Sequence, residues 1–129
     1  MTEKFEIYRC NICQNIIQVM AEGAGELVCC NEPMELLKPQ EERESELGEK
    51  HTPEFETDVN GRFVRLKHHP MTEEHYIEFI QVYAKDKSCL HTKFLRPKDI
   101  AEFDITGYEQ ELEAQEMCNI HGLWRNKND

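Results

Sequence analysis

The sequence lacks any long hydrophobic run, since no stretch approaches the roughly 20 apolar residues of a membrane-spanning helix. Basic residues are also few, because 15 Lys and Arg stand against 26 Asp and Glu and give a net charge of −11. Nucleic-acid binding depends on neutralisation of phosphates by Lys and Arg, so we expect no nucleic-acid partner. The lack of a long apolar run leads us to expect no membrane partner. The first residues, Met1–Glu6, lack the basic and apolar regions of a secretory signal, and we therefore expect a cytoplasmic protein.

Cysteine is abundant instead, with six in 129 residues. In a chain without a secretory signal, this number favours metal binding or redox chemistry over structural disulfides. Cys29 and Cys30 are neighbours, and Cys10 and Cys13 are nearly so. Such spacing is more typical of a metal-binding site than of a set of disulfides.

The first four cysteines, Cys10, Cys13, Cys29 and Cys30, form C-N-I-C followed by an adjacent pair. Four thiolates suit a tetrahedral ion, either zinc or iron, and the spacing does not decide between them. Modules of fewer than about 40 residues usually need a metal or disulfides to fold. We therefore predict a metal-clasped β module over residues 1–37.

A second set of metal-ligand residues follows in the strings E-K-H-T-P, H-P-M-T-E-E-H and C-N-I-H-G, which contain His51, His69, His75, Cys118 and His121. Four imidazoles and one thiolate suit a redox metal, and five ligands leave a sixth position for a substrate. Three other residues compete for this role, namely His68, Cys89 and His91. Spacing alone leaves the choice open, although His68 and His69 point in opposite directions in an extended segment.

Residues 38–48 are charged and contain one apolar residue, so we predict a linker there, in which a short exposed helix is possible but could bury no face. Several short strands at regular spacing then predict an antiparallel β-sandwich over residues 49–129. Asn60-Gly61 is a two-residue hairpin signal. Residues 108–116 favour a helix as much as a strand.

Taken in order, these motifs resemble desulfoferrodoxin, the two-iron type of superoxide reductase, over nearly the whole chain. The resemblance implies a desulforedoxin-like module, related to rubredoxin, followed by a neelaredoxin-like catalytic domain with an immunoglobulin-like fold, usually in a homodimer. It also implies two iron ions per chain. One iron would be held by the first four cysteines, and the other by the four histidines in a plane with Cys118 as the axial ligand.

The implied reaction is one-electron reduction of superoxide, with two protons, to hydrogen peroxide, and reduced rubredoxin is the implied electron donor. By the same resemblance, Glu49 caps the oxidised iron. We predict that Lys50, beside His51, attracts superoxide and orients a proton-donating water, although without the resemblance it is an ordinary exposed lysine. The four-cysteine site is expected to be mainly structural, with electron relay as an option.

Two other functions remain open on residue spacing alone. The chain could be an electron carrier with a passive β domain, but that leaves the five-ligand set unexplained. It could also join a zinc ribbon to a zinc hydrolase or binding domain. Four histidines and a thiolate exceed the three protein ligands usual for catalytic zinc, which disfavours the second alternative.

Overall fold

The computed structural model describes residues 1–126, and the chain divides into two compact units, Met1–Lys38 and the residues from Pro39 onward. Within the described residues, no helix has the length and apolar character needed to cross a membrane. The two units are described separately below.

The first unit consists of five short strands: β1 (Ile7–Arg9), β2 (Ile16–Gln18), β3 (Val28–Cys29), β4 (Glu32–Pro33) and β5 (Glu35–Leu37). One antiparallel sheet has the order β2-β1-β5, and β3 pairs with β4 in a separate hairpin. Of the described residues in this unit, only Ile7, Cys10 and Val19 are buried. Burial of an apolar side chain contributes about 1.5–3 kcal/mol, so two such side chains are a small core for 38 residues.

The second unit contains one short helix and seven strands: α1 (Glu46–His51), β6 (Glu54–Asp58), β7 (Gly61–Arg65), β8 (Ile77–Ala84), β9 (Leu90–Phe94), β10 (Glu102–Asp104), β11 (Leu112–Cys118) and β12 (Gly122–Asn126). A three-stranded sheet has the order β10-β7-β6, and a four-stranded sheet has the order β12-β11-β8-β9. All neighbouring strands within these sheets are antiparallel.

The core of the second unit draws apolar side chains from both sheets. Val64 comes from the three-stranded sheet, whereas Ile80, Val82 and Ala114 come from the four-stranded one, and all four are fully buried. The mainly β fold predicted from the sequence is therefore confirmed. Residues 112–116 are strand rather than helix, because their pairing with β8 brings Ala114 into this core.

The β6–β7 hairpin differs by one residue from the expected turn. Asp58 pairs with Gly61, so the two loop residues are Val59 and Asn60, and Gly61 is the first residue of β7. Gly61 has a φ of +136°, and a Cβ added there would collide with Thr106 Oγ1. Glycine is thus required by a close approach from another loop as well as by its backbone angle.

Residues 38–48, for which the sequence predicts a linker, lead directly into α1. Ser45 caps this helix, since its Oγ accepts a hydrogen bond from the Gly48 N–H at 2.9 Å. Gly48 is buried, and a Cβ at this position would collide with the Glu42 carbonyl. The short helix that was possible here is present, and Gly48 is the only buried residue of 38–48. The Ser45 cap was the sequence signal for the helix.

Candidate metal centres

The thiols of Cys10, Cys13, Cys29 and Cys30, here called the four-cysteine centre, lie within 4.8 Å of one another. The Sγ atom of Cys29 is 3.6 Å from that of Cys13 and 3.9 Å from that of Cys30. Metal–sulfur bonds of about 2.3 Å in a tetrahedral site place sulfurs about 3.8 Å apart. The spacing of these thiols therefore fits a four-coordinate metal ion.

The first two ligands come from a tight turn after β1. The Cys10 N–H donates to the Asn15 carbonyl, and the Gln14 N–H donates to the Cys10 carbonyl, both at 2.9 Å. The Cys13 N–H points at the Cys10 sulfur, 3.5 Å away. These bonds explain why two residues can separate the cysteines while both thiols face one point.

The adjacent pair is placed by the β3–β4 hairpin. Cys29 pairs with Glu32, so Cys30 and Asn31 form its two-residue loop, with φ values of +53° and +62°. Two positive φ angles are typical of a type I′ turn. Neighbouring side chains diverge along a straight strand, but this corner brings both sulfurs to the same side.

Electrostatics also favour a cation at the four-cysteine centre. Backbone N–H groups of Cys13 and Ile12 lower the pKa of Cys10 to about 6. Hydrogen bonds to Cys13 and Cys10 raise the pKa of Cys30 to about 12, and the pKa of Cys29 is raised by the same neighbours. Four thiols this close cannot all ionise unless a metal ion offsets their mutual repulsion.

The second cluster is called the His/Cys centre and consists of His51, His69, His75, Cys118 and His121. Ligand atoms of the first four lie within 4.8 Å of one another. His121 Nδ1 is 3.2 Å from His51 Nε2 and 3.9 Å from Cys118 Sγ. The structure thus brings together all five residues that the sequence motifs suggested.

The three competing residues lie outside both clusters. His68 is exposed, and the His91 ring packs on Tyr108 with ring centroids 4.4 Å apart. Cys89 Sγ donates to Gln110 Oε1 at 2.9 Å. None of the three is among the groups of potential metal ligands in residues 1–126.

The His/Cys centre lies where loops and strand ends of the second unit converge. His51 ends α1, His69 and His75 belong to the connection between β7 and β8, and His121 lies in the turn between β11 and β12. Cys118 ends β11 just after a β-bulge, which shifts the register between Met117 and Cys118. Bulges redirect side chains, and this one lies at the strand end that carries the thiol.

Two histidines are oriented by carbonyl groups. His51 Nδ1 lies 2.7 Å from the Leu47 carbonyl, and His69 Nδ1 lies 2.6 Å from that of Pro70. An N–H donated through Nδ1 leaves Nε2 as the ligand atom, which is the usual arrangement for metal-binding histidines. Consistently, His69 Nε2 faces Cys118 Sγ at 3.3 Å.

His75 gives the strongest structural indication that the His/Cys centre binds a metal ion. Its Nε2 atom is buried and has no hydrogen-bond partner within residues 1–126. A buried polar atom without a partner costs about 1–3 kcal/mol, and a metal ion would remove that cost. The donor set of four imidazoles and a thiol suits iron.

Burial keeps the imidazoles neutral. It lowers the pKa of His69 to about 4 and also lowers the pKa of His51 and of His75. Neutral imidazole is the form that binds metals, so protons do not compete at pH 7. Burial raises the pKa of Cys118, while N–H groups of His121 and Ile120 oppose that rise, so metal binding would release a proton there.

Sequence analysis missed two buried neighbours of the His/Cys centre. Trp124 is 3% exposed and stacks on the His51 ring, with centroids 4.9 Å apart and planes at 23°. Glu116 pairs with Trp124 across the strands, is fully buried, and has no hydrogen-bond partner for its carboxyl oxygens among the described residues. Burial raises its pKa well above the usual value. The only signal in the sequence was the single tryptophan directly after the C-N-I-H-G-L string.

The two predicted non-ligand residues, Glu49 and Lys50, are neighbours in the short helix α1, and both are exposed. The positive charge of Lys50 contributes, after burial, to the lowered pKa of His51 and of His75. Lys50 also directly precedes His51 in α1.

Comparison with known proteins identifies the family. Residues 2–37 match the family model described as the N-terminal domain of desulfoferrodoxin, and residues 43–127 match that of desulfoferrodoxin. A desulfoferrodoxin homolog of Methanothermobacter thermautotrophicus is 44% identical over 129 residues, covering 96% of this chain and 99% of that protein. The desulfoferrodoxin of Nitratidesulfovibrio vulgaris is 41% identical over 127 residues, covering 97% and 98% of the two chains.

A solved structure agrees with these sequence relatives. The superoxide reductase from Treponema pallidum superposes with a TM-score of 0.69 at 26% identity, covering 98% of this chain and 100% of that one. The same conclusion follows from the two family models, from the full-length relatives and from the structural similarity. The chain belongs to the desulfoferrodoxin family.

Proposed function

We propose that the protein is a superoxide reductase that carries two iron ions per chain. The observation that carries this function is the His/Cys centre, in which four imidazoles and one thiol converge and one buried imidazole nitrogen lacks a partner. When bound there, iron would supply the single electron that the reaction needs. Relatives of this chain are named desulfoferrodoxin, and a structural neighbour is named superoxide reductase.

In this reaction, each superoxide anion gains one electron and two protons and leaves as one molecule of hydrogen peroxide. The electron must come from an external donor, for which we propose a rubredoxin-like protein. We propose that the protons come from solvent, since burial lowers the pKa of His51, His69 and His75 and leaves these imidazoles neutral. The chain's task is to hold the ligand atoms, to admit a small anion and to give protons from solvent access to it.

Product stoichiometry tests this function. Reduced, iron-loaded protein mixed with pulse-generated superoxide is expected to yield one hydrogen peroxide for each superoxide consumed, with no oxygen release. Dismutation would yield half a peroxide and half an oxygen for each superoxide. Oxygen evolution, or no reaction at all with both centres loaded, would overturn the proposal.

We propose Lys50 as the residue that attracts superoxide, because an anion is repelled by a chain of net charge −11 and needs a local positive charge. Lys50→Ala is expected to slow the bimolecular reaction with superoxide by about tenfold or more and to weaken its dependence on ionic strength. Stopped-flow or pulse-radiolysis rates at several salt concentrations measure both effects.

Lys85→Ala is the matched control, since it removes the same charge just beyond the far end of β8. That strand is eight residues long, which corresponds to roughly 25 Å, several times the screening length at physiological salt. Equal rates for Lys50→Ala and Lys85→Ala would exclude the role of Lys50.

We propose that the Glu49 carboxylate binds the oxidised His/Cys centre and leaves on reduction, because a hard oxygen donor suits the ferric better than the ferrous ion. The absorption band of the oxidised centre is then expected to shift in Glu49→Ala. Glu46→Ala, which alters another exposed acid of α1, is expected to leave the band unchanged. An identical spectrum for both variants would remove Glu49 from the site.

The remaining features of the assembly are proposals based on the family. We propose residues 1–37 as an iron module whose metal is mainly structural, residues 38–48 as the connection, and residues 49–129 as the catalytic domain. A homodimer and a cytoplasmic location are proposed on the same basis. The thiols of the four-cysteine centre support a reducing location, since thiolate ligands are lost on oxidation.

A further inference from the structure

The carbonyl oxygen of His121 accepts two side-chain hydrogen bonds from different parts of the second unit. Gln40 Nε2 donates to it at 2.8 Å, and Trp124 Nε1 donates at 3.1 Å. Gln40 is 81 residues away along the chain, so this contact exists only in the folded protein. The carbonyl is thus held by Gln40, which precedes α1 in the chain, and by Trp124 in β12.

His121 is the residue for which such support matters. The rings of His51 and His69 are oriented by carbonyl groups at Nδ1, whereas Nδ1 of His121 faces the centre, 3.2 Å from His51 Nε2, and is not held by a carbonyl of the described residues. Its ring direction therefore depends on its backbone. That backbone forms a short turn between Cys118 and Gly122, which pair with each other, and Gly122 has a φ of +82°.

Gln40 is well anchored for this task. Its N–H donates to the Leu123 carbonyl, and its carbonyl accepts from the Arg125 N–H, both at 2.9 Å. These bonds form a parallel bridge to Trp124 at the outer edge of β12, and the neighbouring Glu41 forms an ion pair with Arg125. Because the backbone of Gln40 is already fixed, only its side-chain rotamers lose freedom when the amide binds the His121 carbonyl.

We propose that Gln40 and Trp124 are positioning residues, which direct His121 toward the His/Cys centre through its carbonyl oxygen. The inference rests on the proposed function, because it takes iron to be bound at that centre. The two donors act on one acceptor, so either of them alone can hold the carbonyl. Their contributions should therefore be strongly non-additive.

The experiment compares Gln40→Met, Trp124→Phe and the double variant. Gln40→Met keeps the side-chain length without the donor, and Trp124→Phe keeps a ring on His51 without the N–H. Ferrous-iron affinity of the His/Cys centre is measured by chelator competition, together with the wavelength of its thiolate band in the oxidised protein. We expect a loss of affinity of about 10–100-fold and a shifted band in the double variant, but at most about threefold for each single change.

Three further variants complete the test. Gln40→Glu/Trp124→Phe replaces the Gln40 donor by an exposed acceptor and also removes the second donor, so it is expected to weaken iron binding at least as much as the first double variant. Gln18→Met and Gln18→Glu are matched controls, because Gln18 Nε2 donates to the Phe5 carbonyl at 3.1 Å in the first unit. Both controls should retain the parent's affinity and band.

The outcomes separate this inference from the function. If both double variants bind ferrous iron within twofold of the parent and with an unchanged band, the positioning role is wrong while the proposed function stands. If the parent itself binds no iron at the His/Cys centre, the proposed function fails. Iron in the four-cysteine centre of the same sample serves as the internal reference for folding and loading.

Discussion

Cys118→Ser is expected to abolish the thiolate-to-iron absorption of the His/Cys centre and to lower the rate of superoxide reduction by more than about 100-fold. Changes in residues that only support a metal ligand typically lower metal affinity or activity 10–100-fold. Cys118 is itself a potential ligand and the only sulfur among the five residues of the centre. A thiolate donates electron density to the metal, which a neutral serine hydroxyl does not. Visible spectra and superoxide kinetics of the iron-loaded variant measure both losses.

Cys89→Ser is the matched control for this change. Cys89 is half-buried in the same unit, and its Sγ donates to Gln110 Oε1, a bond that a serine hydroxyl can also make. The control is expected to keep both spectrum and rate. A Cys118→Ser protein that retained the parent's band would show that the sulfur is not a ligand, and the assignment of the His/Cys centre would fall.

Loss of the four-cysteine centre is expected to unfold the first unit and to leave the second unit folded. Structural metal sites contribute about 10–16 kcal/mol to the folding of small modules. The apolar core of the first unit is only Ile7 and Val19 beside Cys10, so the metal must dominate its stability. In Cys10→Ser/Cys13→Ser, amide hydrogen exchange should lose protection across Met1–Lys38 and keep it in β8 and β11.

Superoxide reduction by the pre-reduced double variant should stay within about threefold of the parent, since the ligands of the His/Cys centre all belong to the second unit. This result would support a mainly structural role for the four-cysteine centre. Retained amide protection in the first unit would contradict the stability argument. A large loss of rate with the His/Cys centre fully loaded would instead indicate that the four-cysteine centre takes part in turnover.

The metal-ligand residues were readable from the sequence because ligand chemistry is local. C-x-x-C and C-N-I-H-G each supply two donor atoms from one turn, and the competing Cys89 and His91 lack such a context. The strands of the second unit were predictable from their regular spacing and from the Asn60-Gly61 hairpin signal. Their ends shifted by a few residues, as in the β6–β7 hairpin, where contact with Thr106 decides the position of Gly61.

By itself, the sequence determined the two clusters of potential metal ligands, the mainly β fold and the family, because these depend on residue type and short spacing. Only the tertiary structure decided how the ligands are held. The corner at Cys30 and Asn31, the bulge before Cys118 and the contact of Gln40 with His121 all arise from strand pairing or from contacts between distant residues. Such contacts leave no local pattern in the chain, since their free energy appears only when the partners are brought together by the fold.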